Sequence, residues 1–303
     1  MNLLDFFICA YNKLHNYHNI PIYVLTPFRV VVRSIANFMI PLWFNRTPSA
    51  ESKGVKSDII VSFTSFPVRI DNVWKVVECM LRQSLRPKKV ILWLSKEQFP
   101  TTESIPVNLR ERQNDIFEIR MVEDDIRSHK KYQYVCREFP DNPVVLIDDD
   151  IYYHTHFLKD LYNEFIIKHC VICYYCFLIS YDSEGNILPY NTWKELECEK
   201  SDADNLFFGS GGGVLFRPSM LFKDTTNIDL ALRLTPMADD IWLNAMVRLG
   251  HQKIVKIKSG LHLPITQKNN ISLFSSNVSD GGNDVQISNI INYYGDVFNR
   301  VVL

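Results

Sequence analysis

The sequence carries almost no net charge: 33 Lys and Arg stand against 34 Asp and Glu, a formal −1 at pH 7. A general nucleic-acid binder would be clearly basic, so no nucleic-acid partner is expected. Neither GxGxxG nor GxxxxGK(S/T) follows the first apolar strand segment. Their absence disfavours a dinucleotide-binding fold and a P-loop. A disulfide framework is also missing, since the seven cysteines are odd in number and irregularly spaced. Cys170, Cys173 and Cys176 are spaced CxxCxxC, but they lie among strand-forming residues. They have no obvious fourth ligand and no Gly or Pro turns of the kind that metal or iron–sulfur sites use. Buried free thiols are the better reading, and they suit a reducing cytoplasm. The N-terminus has no basic n-region and no small-residue cleavage site, so no secretory signal is expected.

What is present is enough apolar material for a full core. The chain has 303 residues, 47% hydrophobic and 22% charged, room for one large domain with an appendage or for two small ones. Residues 58–64, 89–94, 117–122 and 144–147 read as strands, and residues 72–83 and 130–139 as helices. In the first helix Val73, Val76, Val77, Met80 and Leu81 share a face, and Pro87 closes the helical region. Strands alternating with helices predict an α/β fold with a wound, mainly parallel sheet flanked by helices.

The fourth strand runs into Asp148, Asp149 and Asp150. A strand of consecutive aliphatic residues is buried on both faces, and its carboxyl end lies at the edge where α/β sheets bind ligands. Three carboxylates there repel one another unless a cation or a set of donors lies between them. A divalent metal, Mn²⁺ or Mg²⁺, with oxygen ligands and itself bound to a phosphate, is the economical explanation. Asp148 and Asp150 point to the same side of an extended segment, so one metal can meet both. Asp149 then faces the ribose or the sheet. A simple helix or turn cap would need one Asp, not three.

Residues 1–50 differ from the rest, with Lys13, Arg29, Arg33 and Arg46 against a single Asp5 and with frequent aromatics. As a helix, residues 28–40 between Pro27 and Pro41 place Arg29, Arg33 and Asn37 on one stripe with apolar residues elsewhere. That length, about 20 Å, is too short to span a bilayer. The expectation is an amphipathic, membrane-associating segment in the headgroup layer, its arginines on anionic lipid and Trp43 and Phe44 as anchors. The protein would then be cytoplasmic and peripheral at the inner face of the cell membrane. The plainer reading is a helix docked on the main domain. Residues 45–57 read as a polar linker.

Six motifs in order resemble the GT-A glycosyltransferases of bacterial capsule and lipopolysaccharide gene clusters. They are residues 62–70, 83–94, 129–131 (His-Lys-Lys), 147–152 (Ile-Asp-Asp-Asp-Ile-Tyr), 209–215 (Gly-Ser-Gly-Gly-Gly-Val-Leu) and 238–243 (Ala-Asp-Asp-Ile-Trp-Leu). The resemblance spans roughly residues 57–295 and implies a GT-A domain 55–264 with a segment 265–303 completing it; the N-terminal segment 1–50 falls outside it. It implies a nucleotide-sugar donor whose two phosphates share a metal with Asp148 and Asp150. His262, in the run Gly-Leu-His-Leu-Pro, would be a third ligand. Lys131 and Arg69 would offset charge on the leaving diphosphate. Thr64 and Asp71 would reach base or ribose, and Asp149 would contribute to the donor site. Gly211 and Gly212 would line the sugar pocket. Asp240, with Asp239 close behind it, would take the proton of the attacking acceptor hydroxyl. Inverting displacement is the expectation, because that base is available. Trp242 would stack on a sugar or fill core. His154 and His156 would only decorate the helix that follows, and Asn277, Asn283 and Asp284 carry no assigned role.

The activity so implied is transfer of a sugar to a glycan or lipid-linked acceptor in cell-surface polysaccharide synthesis. Two other classes stay open. A nucleotidyltransferase-like enzyme would use the same aspartates for metal, but it would want an early basic glycine-rich loop. A noncatalytic carbohydrate-binding protein would show no metal-dependent nucleotide binding.

Overall fold

The computed structural model describes residues 1–14, 22–47, 54–196, 200–257, 262–267 and 282–298. The four apolar segments form β1 (Ile60–Thr64), β2 (Lys89–Ser95), β3 (Phe117–Val122) and β4 (Val144–Leu146), joined in parallel. Three more strands, β5 (Val171–Cys173), β6 (Val214–Phe216) and β7 (Ile254–Lys256), complete a seven-stranded sheet in the order β7-β5-β6-β4-β1-β2-β3. Only β6 opposes its neighbours; β7 runs parallel to β5. The mainly parallel α/β sheet expected from the sequence is therefore present.

Alternation along the strands divides the core. Val61, Leu92 and Val145 join one hydrophobic cluster, and their neighbours Ile60, Ile91, Trp93, Val144 and Leu146 join the other. Successive side chains point to opposite faces, so a strand apolar at every position needs cover on both. The first face is covered by α3 (Val73–Leu81) and α5 (Phe157–Lys168), the second by α4 (Lys130–Glu138), α6 (Asp239–Leu249) and α7 (Gly282–Tyr294).

Two helices precede this domain, α1 (Leu3–Lys13) and α2 (Ile22–Arg46). Here the structure corrects the sequence reading. Helix α2 has 25 residues and runs through both Pro27 and Pro41, giving about 37 Å of helix. It is the one helix among the described residues long and apolar enough to cross a membrane. Proline deletes a hydrogen bond and crowds the preceding turn, but tertiary packing holds the helix on either side of each break. Leu25 is buried before Pro27, Ala36 and Ile40 between the prolines, and Phe44 after Pro41.

The polar stripe also faces the other way from expectation. Asn37 Nδ2 donates to the Pro264 carbonyl (3.1 Å), and the Thr266 N–H donates to Asn37 Oδ1 (2.9 Å). The Arg29 guanidinium lies 4.5 Å over the Tyr11 ring. Trp43 and Phe44 pack on the domain, with the Arg82 guanidinium 5.0 Å over each ring. They anchor the helix to protein, so the docked-helix reading holds for this face. The 45–57 stretch begins inside α2, and Val55–Lys56 pairs with Leu85–Arg86; residues 48–53 lie outside the described residues. Cys170, Cys173 and Cys176 are buried free thiols.

Candidate active site at the carboxyl edge of the sheet

The three aspartates stand immediately past the end of β4. Asp149 turns toward the protein: Ser65 Oγ donates to its Oδ2 (2.5 Å) and Arg69 Nη1 to its Oδ1 (3.0 Å). Arg69 also pairs with Asp150 Oδ2 at 2.8 Å. Burial pushes the Asp149 carboxyl up, and Arg69 opposes the shift. Asp148 and Asp150 are more open, with side chains 41% and 29% exposed. Burial, and then repulsion from Asp148, pushes Asp150 up to about 7. Asp149 is thus held by the loop that follows β1.

Lys131 joins two motifs that lie far apart in sequence. From the first turn of α4 its buried Nζ meets Asp148 Oδ1 at 2.9 Å, Asp239 Oδ2 at 3.0 Å and Ser210 Oγ at 2.8 Å. Burial favours the neutral amine, but Asp148, Asp239 and Asp240 outweigh it and hold Lys131 well above the usual lysine value. Lys130 points elsewhere and pairs with Asp125.

Asp239 and Asp240 open α6, where the helix dipole favours carboxylates. Their environments differ. Burial raises Asp239, but Lys131 and then His129 prevail and leave it below the ordinary range. Asp240 is pushed up to about 7 by burial and then by Asp239, although the Ser210 N–H donates to its Oδ1 at 2.9 Å. Adjacent carboxyls driven apart in this way can divide between a fixed anion and a group that exchanges a proton near neutral pH.

The glycine loop fits against both acidic motifs. Tyr153 Oη accepts from the Asp148 N–H (2.9 Å) and donates to the Gly211 carbonyl (2.5 Å). A Cβ on Gly211 would stand 1.9 Å from Asp148 Oδ2, and one on Gly212 would stand 2.2 Å from Tyr175 Cβ. Backbone can approach this closely only where the side chain is missing. Gly211→Ala is expected to push the Asp148 carboxylate aside and to weaken, by about tenfold or more, the metal-dependent nucleotide binding proposed below. Calorimetric titration checks this, with the melting temperature as the control for folding.

The other expected residues are placed as follows. Thr64 Oγ1 donates to the Trp93 carbonyl (2.8 Å) at the sheet edge, and Asp71 is exposed on the turn Ile70–Asn72. His262 lies beside the loop, its Nε2 3.2 Å from the Gly212 carbonyl and its ring edge-to-face with Tyr175. A carbonyl only accepts, so in this contact Nε2 carries the proton and the ring's lone pair is left on Nδ1. Burial lowers the pKa of His262. Trp242 is wholly buried and donates to the Thr225 carbonyl (3.0 Å), so it fills core. His154 is buried and meets Tyr174 Oη at 3.1 Å, while His156 starts α5 with Nδ1 2.8 Å from Ser84 Oγ. Asn283 is buried on α7 and Asp284 accepts from the Tyr190 N–H (2.7 Å); Asn277 lies outside the described residues. Sequence reading missed Ser65, Tyr153, Ser210 and Asn244. Asn244 clamps α6 to the Leu206–Phe208 strand, donating to the carbonyls of Phe208 (2.9 Å) and Asp240 (2.8 Å). One turn beyond Asp240 on a helix, it carried the best available signal.

Among the described residues no three His, Cys, Asp or Glu side chains form a ready cage for a metal ion. A metal shared with a ligand would draw on Asp148 and Asp150. Mg²⁺ and similar ions commonly take one or two carboxylates and complete their shell from phosphates and water. Lys131 engages Oδ1 of Asp148, Asp148 Oδ2 packs where a Gly211 side chain would stand, and Arg69 engages Oδ2 of Asp150, so a metal would replace contacts that these oxygens now make.

No protein-family model matches this chain, and no curated protein does. Solved structures similar to it include S. aureus TarS 1-349 in complex with UDP, at 12% identity and TM-score 0.46 over 68% of this chain. The match spans 59% of that TarS chain. A UDP-glucose pyrophosphorylase complexed with UDP-glucose matches at 12% identity and TM-score 0.38, over 80% of this chain and 98% of its own. HddC from Yersinia pseudotuberculosis complexed with GMP-PN matches at 11% identity and TM-score 0.33, over 54% and 77%. These identities and TM-scores leave the reading of the site to its own geometry.

Proposed function

We propose that the chain is a GT-A-type glycosyltransferase, moving a sugar from a nucleotide-sugar donor to a hydroxyl of a glycan or lipid-linked acceptor. The observation that carries this reading is the convergence on Lys131. One buried ammonium joins the Asp148 carboxylate to the head of α6, with the Gly209–Gly213 loop packed between them. One end of this array suits a diphosphate and its cation. The other holds a carboxyl, Asp240, whose affinity for protons matches neutral pH.

In the proposed reaction the acceptor oxygen attacks the anomeric carbon, and the bond from that carbon to the diphosphate oxygen breaks. The nucleoside diphosphate leaves with the bonding electrons, and the acceptor proton passes to Asp240. The displacement inverts the anomeric centre. A bound Mn²⁺ or Mg²⁺ would offset charge on the diphosphate and would be held by Asp148 and Asp150. The His262 Nε2, held on the Gly212 carbonyl, would join them only by leaving that contact. Asp149 ties Arg69 in place through 3.0 and 2.8 Å contacts shared with Asp150, fixing a cation at the donor end.

The test is release of nucleoside diphosphate from a panel of sugar nucleotides, with water as the slow acceptor. Expected is release from one donor in Mn²⁺, abolished by EDTA and in Asp148→Ala/Asp150→Ala. Equal release by the double variant would contradict the proposal. Release of pyrophosphate from a nucleoside triphosphate and a sugar phosphate would favour the nucleotidyltransferase reading instead.

A further inference from the structure

Helix α2 presents its apolar side outward. Tyr23, Val24, Phe28, Val30, Val31, Ile35, Phe38, Met39 and Leu42 are exposed, Phe28 at 59% and Phe38 at 67%. Most of them share one sector of the helix, and the buried Leu25, Ala36, Ile40 and Phe44 lie on the opposite side. No charged residue is exposed between Tyr23 and Asn45, a distance of about 33 Å along the axis. Exposed apolar faces of this extent are rare on soluble monomers and mark an interaction surface.

We propose that this face lies in the interfacial layer of an anionic lipid bilayer, with the helix parallel to the membrane surface. Charge selects the occupant. Lys13 and Arg46, at helix ends, are exposed, whereas Asp5, the one acid of the region, is turned into the domain. Asp5 accepts from the Thr155 N–H (2.9 Å) and Oγ1 (2.6 Å). An uncharged apolar face flanked by cations complements anionic headgroups over hydrocarbon. A parallel rather than spanning placement follows from the docked side. Crossing the bilayer would strip Ile40, Phe44 and Asn37 from the domain and leave the Asn37 hydrogen bonds to Pro264 and Thr266 unmade.

That docked side also reaches the site. Leu263–Pro264 pairs with Ile151–Tyr152, the Ile265 N–H donates to the Asp150 carbonyl (2.8 Å), and Asn12 Nδ2 donates to the His262 carbonyl (3.2 Å). The helices that hold the membrane thus also hold the segment behind the aspartates. The proposal stands apart from the catalytic reading, because it rests on a surface that no proposed reaction step uses.

The test is flotation of the full chain with vesicles of phosphatidylglycerol and phosphatidylethanolamine, and with vesicles of phosphatidylcholine alone. The wild type is expected to float with the first and weakly with the second. Phe28→Asp/Phe38→Asp, which alters only exposed positions, is expected to lose binding by at least about tenfold with an unchanged melting temperature. Absence of wild-type binding to anionic vesicles, or equal binding by the variant, would overturn the proposal. So would a lipid-free dimer in sedimentation that the double variant dissolves, since a second copy would then be the occupant.

Discussion

Asp240→Asn is expected to lower the rate of sugar transfer by about 10²–10⁴-fold, the range for loss of a general base, without destabilising the fold. Asn is nearly isosteric and keeps an oxygen for the Ser210 N–H. It also removes a negative charge beside Asp239, the second cause, after burial, of the rise of Asp240 to about 7. The sign of the pH effect follows. In the unfolded chain the carboxyl titrates at about 4, and in the fold at about 7. Between these values the folded chain keeps a proton that the unfolded chain has lost, so this group's contribution to stability falls as pH rises through the window. The variant should melt at the wild-type temperature or above it, with the largest gain above pH 7, while wild-type kcat/KM rises with pH through about 7. A variant with wild-type rates would remove Asp240 from the chemistry. One that loses activity only because it unfolds would make the residue structural.

Lys131→Met is expected to fail in both respects. Methionine fills most of the lysine volume but leaves Asp239 buried without its principal cation and Asp148 without its 2.9 Å partner. Removing one member of a buried ion pair costs about 3–5 kcal/mol, a fall in melting temperature of roughly 6–20 °C. Activity should fall as well, because Asp239 would rise and compete with Asp240 for the proton. Lys131→Met/Asp239→Asn separates the two effects. It should recover much of the stability, since the stranded charge is gone, and little of the rate. Full recovery of both would mean that Lys131 only balances charge.

The sheet was legible because its signal is local. Runs of β-branched residues such as Val144 and Val145 favour strands buried on both sides, and the helical spacing of Val73, Val76, Val77 and Met80 lies within three turns. The acidic motifs were legible as clusters of one residue type. What joins them was not. Ser65, Tyr153, Ser210 and Asn244 act through single hydrogen bonds to groups distant in the chain, and a lone Ser or Tyr leaves no pattern in sequence. The Lys130–Lys131 pair shows the boundary. The resemblance favoured Lys131, but the residues alone do not separate the two, and the direction each takes from the start of α4 puts one on Asp125 and the other on Asp148. Helix α2 was misread because prolines were taken as ends. The stripe of Arg29, Arg33 and Asn37 was recognised, but periodicity identifies a face and not what it meets, and here the polar face meets protein.

The most direct test is thermal shift of the wild type with UDP, GDP, CDP and dTDP sugars, in Mn²⁺ and then in EDTA, beside Asp148→Ala/Asp150→Ala. A ligand that binds only the folded chain raises its melting temperature by mass action. The expected result is stabilisation by donors of one base, present in Mn²⁺ and lost both in EDTA and in the double variant. The same shift in EDTA or in the double variant, or none with any donor, would contradict a donor site built on these aspartates.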